Sequence, residues 1–592
     1  MNFIKRIENS KYFDFIVIIL ILLTSYFVMS MFTNHIGLYY DSVNPDFLGR
    51  HLLNLIKDKT NPADLIYLGQ VYHGVINGYV MAFMIYITGA PSVALLHFIN
   101  ATYGAIICSF VYKILRKCNA DKLISALISI FLSISTALLC IYLTQYYIEL
   151  SGMVFLIFGI NSLVNYIKEK NNKTLFFIGL FSGLACYGYY NYVFLVLPFI
   201  SIIIMENIKN KKKIFDLIMI FITGFILGIL PYFMGYNKLA FSTSNYKYLI
   251  WYSILILLLI WIVTSYKSYL KDNKKGKIIS FVGLILIGCF SILKYAKIII
   301  LNFTNKISPN NDSIFEKIIN QLDSVKGKFF GLVNGTTMEF RLVGHTVIPI
   351  KNIINYVFVL LFVVAVIISF ILYKKKKENN KKILYSFITY ILYLIAAFIV
   401  AVSALSEQHF VPMLFINGLV FALILTYLLK LIKKVRIYNI LKVIVCLFLI
   451  FEIVLNIKAN KSFVKELYYT GGVNGAYSLK INEIAYDAMD NYNRGIKELY
   501  VFEEWGIATS FTYLTNNHIP KLESFNGELT LDEIINDNID EFQIVVITGN
   551  DELSSSFICE LNEKYNYLSY SDELIYHRNG ELAFHKLTIN KN

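Results

Sequence analysis

Asp41 and Glu149 are the acids in this sequence best placed to do chemistry. Asp41 stands in Tyr39-Tyr40-Asp41-Ser42-Val43-Asn44-Pro45-Asp46-Phe47, just after an apolar run from Asp14 to Thr33. Glu149 closes Gln145-Tyr146-Tyr147-Ile148-Glu149, a short turn between two more apolar runs. An acid at the end of a hydrophobic span is costly without a partner or water, which makes it a functional candidate. Two carboxylates sharing a pocket at a membrane surface would act as a general base, a cation site, or both. The plainer alternatives are an exit turn built on Asn44-Pro45 and a solvated loop acid at Glu149. Asp46 either joins Asp41 or caps a helix beginning near Phe47. Tyr146 and Tyr147 give the Glu149 turn a polar-aromatic lining.

A second group is cationic. Exterior loops of membrane proteins are expected to be poor in Lys and Arg. Lys294 and Lys297 break that pattern at the end of a span, and Arg341, His345 and Lys351 follow in the same long loop. His409 sits in a later turn beside Pro412. Such donors suit a phosphate at the interface, Arg above all because it binds bidentately. Lys294 and Lys297 equally suit lipid headgroups by snorkelling, and Glu339 is a ready partner for Arg341. His73 and Asn77 fall in one apolar run, where a lone His is more often structural than ligating.

The elements that must position these residues are membrane helices. The chain of 592 residues is 57% hydrophobic and 16% aromatic, with a mean hydropathy of +0.58. Apolar runs of span length recur, separated by short lysine-rich loops. The net charge of +14 sits in those loops, so it is a topology signal and not a nucleic-acid footprint. Lys5, Arg6 and Lys11 precede an apolar run without a small-residue cleavage site, which reads as an uncleaved first span. Seven cysteines with no CxxC pair support neither a disulfide framework nor a zinc cluster.

Placing the basic loops (113–122, 168–173, 209–213, 267–277, 374–382 and 430–436) in the cytoplasm with the N-terminus requires an even number of crossings between successive loops. That parity makes Val71–Thr88 an interfacial amphipathic helix inside a long external loop, residues 33–91. A second long external segment covers residues 294–352. Spans are expected at Asp14–Thr33, Ser92–Tyr112, Leu123–Leu143, Ser151–Ile167, Thr174–Gly188, Tyr192–Met205, Ile214–Phe233, Tyr248–Tyr266, Ile278–Leu293, Ile353–Tyr373, Ile383–Ser403, Phe410–Leu429 and Leu441–Leu455. The total is about thirteen transmembrane helices by the usual length rule, with span interiors nearly free of charge. The fold class is therefore a polytopic α-helical membrane protein, residues 1–457, with a small C-terminal extracytoplasmic α/β domain, residues 458–592. In that tail Leu499–Phe502 and Gln543–Thr548 read as buried strands followed by helices, and Glu573–Leu587 as a hairpin around Asn579-Gly580. Gly471-Gly472-Val473-Asn474-Gly475 lacks the Lys-Ser/Thr ending of a phosphate loop and reads as a linker.

This order of parts resembles the core of the GT-C membrane glycosyltransferases. The likeness rests on an acid directly after the first span, a long loop ending in Gly89-Ala90-Pro91, and a span closing on Lys113-Ile114-Leu115-Arg116-Lys117. It continues through the second acid at Glu149 and the run Leu175–Met205, and Gln408-His409-Phe410-Val411-Pro412 is similar to a later segment of the mannosyltransferase-like branch. The resemblance implies a GT-C-like fold in a plasma membrane and transfer of a sugar from a polyprenyl-phosphate-linked donor to an extracytoplasmic protein, lipid or cell-wall polymer. It implies Asp41 as catalytic base and Glu149 as the second-loop acid. Arg341, Lys351, Lys294, Lys297 and His409 are the candidates for the donor phosphate; Asp46, His73, Tyr146 and Tyr147 are those for the acceptor and sugar pocket. Ser42 follows Asp41 where that branch has a second acid, and Glu149 is the one acid of its loop. A divalent cation on Asp41 and Glu149 is therefore an option and not a requirement. A lipid-linked-sugar transporter or flippase, or a non-catalytic membrane scaffold, are the rival readings; membrane lipid is a partner in all of them.

Overall fold

The structure, a computed structural model, describes residues 10–40, 43, 61–70, 73–135, 147–189, 192–208, 211–241, 246–288, 342–345, 347, 356–357, 360–361, 363–364, 367–368, 411–432, 434–472, 477–504, 506–524 and 528–591. Helix α1 (Phe13–Ser30) shows the logic of the membrane part. Val17, Ile21, Ser25 and Val28 are buried against neighbours, while Phe15, Leu23 and Phe27 point outward and are more than half exposed. A helix apolar on every side belongs in a large core or a bilayer. In water each large exposed side chain would forgo about 1.5–3 kcal/mol of burial.

After α1 come a short ribbon, β1 (Leu68–Gln70) and β2 (His73–Gly74), and then α2 (Ile76–Thr88), α3 (Val93–Lys117) and α4 (Lys122–Ile134). The bundle continues with α5 (Tyr147–Glu169), α6 (Asn172–Gly188), α7 (Val193–Asn207), α8 (Lys211–Phe241), α9 (Lys247–Leu270) and α10 (274–288). Helices α11 (Val411–Lys430) and α12 (Val435–Thr470) complete it. Among the described residues six helical segments are long and apolar enough to cross a membrane: Phe13–Ser30, Val93–Lys117, Leu150–Glu169, Lys213–Gly235, Lys247–Leu270 and Val435–Thr470. The chain is a multi-pass membrane protein. The expected spans at 353–373 and 383–403 lie largely or wholly outside the described residues.

Three expectations change. The helix expected over Val71–Thr88 begins only at Ile76, because His73 and Gly74 pair with β1 as a strand. The span expected over Leu123–Leu143 stops at Ile134, where Ser135 is extended. The last span does not end near Leu455: α12 runs unbroken to Thr470 and stops where Gly471 takes a left-handed φ of 63°.

Local sequence sets several helix starts. Ser92 caps α3 by accepting from Leu95 N at 3.1 Å. Asp121 caps α4 by accepting from Leu123 and Ile124 N. Helices α6 and α8 meet backbone to backbone through Gly179-x-x-x-Gly183 and Gly224-x-x-x-Gly228. A Cβ on Gly183 would stand 2.2 Å from the Phe225 carbonyl oxygen, and one on Gly228 2.2 Å from that of Leu180. Small residues at this spacing let helices close in where no water drives them together.

The C-terminal domain holds α13 (Lys480–Asn493), β3 (Glu498–Phe502), α14 (Ile507–Leu514), β4 (Lys521–Glu523), α15 (Leu531–Asn538), β5 (Gln543–Thr548), α16 (Asp551–Lys564), β6 (Leu568–Tyr576) and β7 (Leu582–Lys591). The sheet order is β4-β3-β5-β7-β6, with β4, β3 and β5 parallel and the last two strands antiparallel. Strand residues alternate between two helical layers. Tyr500, Phe502, Val545 and Ile547 face Ile484, Ala485 and Phe511. Val501, Ile544 and Val546 face Ile534, Ile535, Phe557 and Leu561. The β6–β7 hairpin turns at Asn579-Gly580, where Gly580 has φ 88°.

His585 straps this domain together. Its Nε2 lies 2.9 Å from Asp551 Oδ1 and its Nδ1 2.9 Å from Asp572 Oδ2. Partial burial pulls its pKa down, but the two carboxylates outweigh that and the net shift is upward. A raised folded pKa stabilises the domain fully below the ordinary histidine value of about 6.5, and the gain is lost as pH rises through the folded value. The protection factors of β7 amides, which remove the intrinsic pH dependence of exchange, are expected to fall across that interval in wild type. In His585→Gln the pH step should flatten; an unchanged step would remove His585 as its source.

Candidate functional site

The bundle has two chemically distinct ends. At one, Arg116 lies 3.5 Å from Asp14 and Lys117 donates to Asn161 and Asn165 at 2.7 and 2.8 Å. Lys442 lies 2.7 Å from Asp121, and Lys430 donates to the Asn119 carbonyl. These are the lysine-rich turns. The far end of α5, at Lys168, is on this side because Asn161 and Asn165 are. The opening turn of α5, Tyr147 to Glu149, is therefore at the opposite end.

At that opposite end the segment leading to Asp41 is anchored on the C-terminal domain. Gly37 N donates to Tyr477 O at 2.8 Å, and Ser510 Oγ donates to Leu38 O at 2.8 Å. Tyr40 packs on Gly506, so closely that a Cβ there would meet the Tyr40 Cβ at 2.9 Å. Leu38 and Val43, on either side of the acid, are buried in one apolar core with Leu96 and Ile99 of α3, Met81 of α2, and Phe502, Ile507 and Phe511 of the domain. Tyr513 Oη adds a tie, donating to Ser92 O at 3.0 Å.

Asp41, Asp46, Tyr146, Lys294, Lys297, Arg341, Lys351 and His409 lie outside the described residues. Tyr147 and Glu149 are described as backbone in the first turn of α5. His73 and Asn77 are described fully. His73 is not on the helix: it lies in β2, 2% exposed, with Nδ1 2.9 Å from Gly74 O. Burial lowers its pKa, opposed in part by that backbone bond, so the ring is neutral at neutral pH. Gly74 backs directly onto the Tyr187 ring, which would stand 2.3 Å from a Cβ. Tyr187 Oη in turn donates to Tyr67 O at 2.8 Å.

Helices α2, α5 and α6 converge beside this ribbon. A Cβ on Gly188 would lie 2.8 Å from Gly152 Cα and 3.5 Å from Ile76 Cδ1. The ribbon with His73, the start of α2 with Asn77 and the start of α5 with Glu149 are thus neighbours. Asn77 is 7% exposed, and its Oδ1 has no hydrogen-bond partner among the described residues. A buried amide oxygen left open costs about 1–3 kcal/mol, so this corner is suited to a hydroxyl-bearing ligand or water. His345, at the same end of the molecule, lies 3.2 Å from Glu466 of α12.

Sequence reasoning missed three polar features. Glu452 is fully buried in α12, inside the run Leu441–Leu455, so that span interior is not charge-free. Asn456 and Asn460 follow it at four-residue steps on the same buried face, and Asn460 Nδ2 donates to Ile134 O at the end of α4, 2.8 Å away. The i, i+4, i+8 spacing was the available signal. Asn417 in α11 is 8% exposed and neither amide atom has a hydrogen-bond partner among the described residues. Glu504, at the carboxyl end of β3, accepts from Gly549 N at 2.7 Å. Burial raises its pKa, and that hydrogen bond offsets part of the rise. Carboxyl ends of parallel strands are where open α/β sheets bind ligands, and this one lies two residues from the glycine that seats Tyr40.

Among the described residues no group of three or more His, Cys, Asp or Glu side chains is arranged to hold a metal ion. No family model matches the chain, and no curated protein matches it.

Proposed function

We propose that the chain is an integral-membrane glycosyltransferase of the GT-C type. It moves a sugar from a polyprenyl-phosphate-linked donor to an extracytoplasmic acceptor, which is a protein, a lipid or a cell-wall polymer. Asp41 takes the proton of the acceptor hydroxyl as its oxygen bonds to the anomeric carbon. The bond to the donor phosphate breaks on the opposite side, so the centre inverts. Glu149 orients the acceptor or holds a divalent cation. Arg341, Lys351, Lys294, Lys297 and His409 stabilise the charge gathering on the departing phosphate. Asp46, His73, Tyr146 and Tyr147 line the pocket for acceptor and sugar. The N-terminus is cytoplasmic, and residues 458–592 lie outside the plasma membrane.

One observation carries this reading. The anchored segment on both flanks of Asp41 and the opening turn of α5 sit at the same end of the bundle, opposite the lysine-rich turns. The test is reconstitution of the purified protein with a radiolabelled polyprenyl-phosphate sugar. Label is expected to pass to a co-reconstituted acceptor, and its failure to leave the lipid with any acceptor supplied would refute the enzyme.

A second reading is a transporter of lipid-linked sugars, favoured by Glu452. Intramembrane acids mark transport paths, and Glu452 is fully buried within the run Leu441–Leu455. It expects the labelled lipid to cross the bilayer with no product, at a rate that falls in Glu452→Gln.

A further inference from the structure

The outward ridge of α12 changes character along its length. Leu447, Phe451, Val454 and Ile457 are 60%, 51%, 54% and 54% exposed. They recur at three- and four-residue steps, so they form one stripe on the helix. More than half exposed on a helix of membrane-span length and composition, these side chains suit lipid tails. The same stripe continues as Lys458, Lys461, Lys465 and Tyr468, all exposed. No ion pair joins any of the three lysines to another described residue. Glu466, the acid beside Lys465, is turned to His345.

The upper end of the stripe is aromatic and cationic. Tyr468 and Tyr469 are 43% and 46% exposed. The Arg578 guanidinium, from the β6–β7 turn, lies 4.1 Å over the Tyr468 ring. The sequence of chemistry along one helix face is therefore tail-compatible, then positive, then tyrosine. That is the order a single phospholipid presents from its chains to its headgroup and the wet interface beyond. A lipid with its chains along Leu447–Ile457 has its phosphate level with Lys458–Lys465.

We propose that this ridge is a docking site for an anionic phospholipid, its phosphate held by Lys458, Lys461 and Lys465. The site lies at the end of the membrane that carries the C-terminal domain. A zwitterionic lipid offers the same chains but no net charge, so three ammonium groups with no ion pair among the described residues select against it. The proposal does not depend on sugar transfer.

The test uses full-length protein in nanodiscs of phosphatidylcholine with phosphatidylglycerol as the minor lipid. Native mass spectrometry then measures which lipids the released protein retains. Wild type is expected to be enriched in phosphatidylglycerol. The triple variant Lys458→Gln, Lys461→Gln, Lys465→Gln is expected to lose about fivefold of that preference per lysine removed. Lys497→Gln, an exposed lysine of the C-terminal domain, should leave it unchanged. The triple variant alters only exposed side chains, so it should fold, and an unchanged melting midpoint in phosphatidylcholine checks this. Equal retention by wild type and triple variant would overturn the proposal. So would displacement of the retained lipid by inorganic phosphate, which would make the ridge a plain anion site without a need for chains.

Discussion

Membranes carrying Asp41→Asn at unchanged protein level are expected to transfer sugar at least ~100-fold more slowly than wild type. Asparagine keeps the shape and the hydrogen-bonding reach of aspartate but cannot hold the proton of an attacking hydroxyl. The loss should therefore appear in the rate at saturating donor, with little change in donor affinity. The flanks of the residue make the comparison clean. Leu38 is tied through its carbonyl to Ser510, Tyr40 seats on Gly506, and Val43 is fully buried. An isosteric change between such anchors should not unseat the segment. Asp46→Ala separates the two roles open to that acid: a helix cap predicts stability lower by about 1 kcal/mol with transfer retained, and a pocket residue predicts the reverse. Near-normal transfer by Asp41→Asn would take Asp41 out of the mechanism.

Gly183→Leu is expected to remove folded protein from the membrane. The obstacle at this position is backbone, the Phe225 carbonyl oxygen 2.2 Å from a Cβ, so no rotamer change can relieve it. The two helices must separate along the whole Gly179–Gly183 and Gly224–Gly228 seam, and the contacts flanking it go with them. Overpacking of this kind costs roughly 1–3 kcal/mol and more where backbone must move, a large share of the total stability of a typical domain. Gly183→Ala should already lower the melting midpoint in detergent, and Gly228→Leu should match Gly183→Leu. Gly288→Ala, with nothing within 4 Å of its Cβ, is the matched control and should melt no lower than wild type. Equal midpoints for Gly183→Ala and Gly288→Ala would mean the helices do not meet at this distance.

Some of this was legible in the sequence, and the reasons are physical. Strand β5 falls at Gln543–Thr548 as expected, since a parallel strand buried on both faces is a short continuous apolar run. The β6–β7 turn was signalled by Asn579-Gly580, because glycine accepts the positive φ that the turn requires. Helix α6 ends at Gly188 as read. The early stop of α4 had no local signal: the Ile134 carbonyl is satisfied by Asn460, 326 positions away. His73 was assigned to a helix because Val71-Tyr72-His73 prolongs the apolar run that follows, whereas strand pairing with Leu68–Gln70 is a property of the folded chain. Glu452 was lost in an apolar window where one acid barely moves the mean. Charge parity alone gave the expectation that the flanks of Asp41 and the opening turn of α5 lie away from the lysine-rich turns. It gave no sign of the joint core of the first external loop with the distant tail, since nothing in either segment names the other.

That joint core has a consequence for synthesis. Leu38 leaves the ribosome 472 positions ahead of Ser510, which supplies its hydrogen bond. At roughly 5–20 residues per second the wait is on the order of half a minute to a minute and a half. Through that interval Leu38 and Val43 have no tail to bury against, and the nascent chain must be shielded by lipid or a chaperone. Ribosome stalling or truncation anywhere before the last hundred or so codons should therefore leave an intermediate that proteases recognise at its N-terminal loop, far from the point of the break.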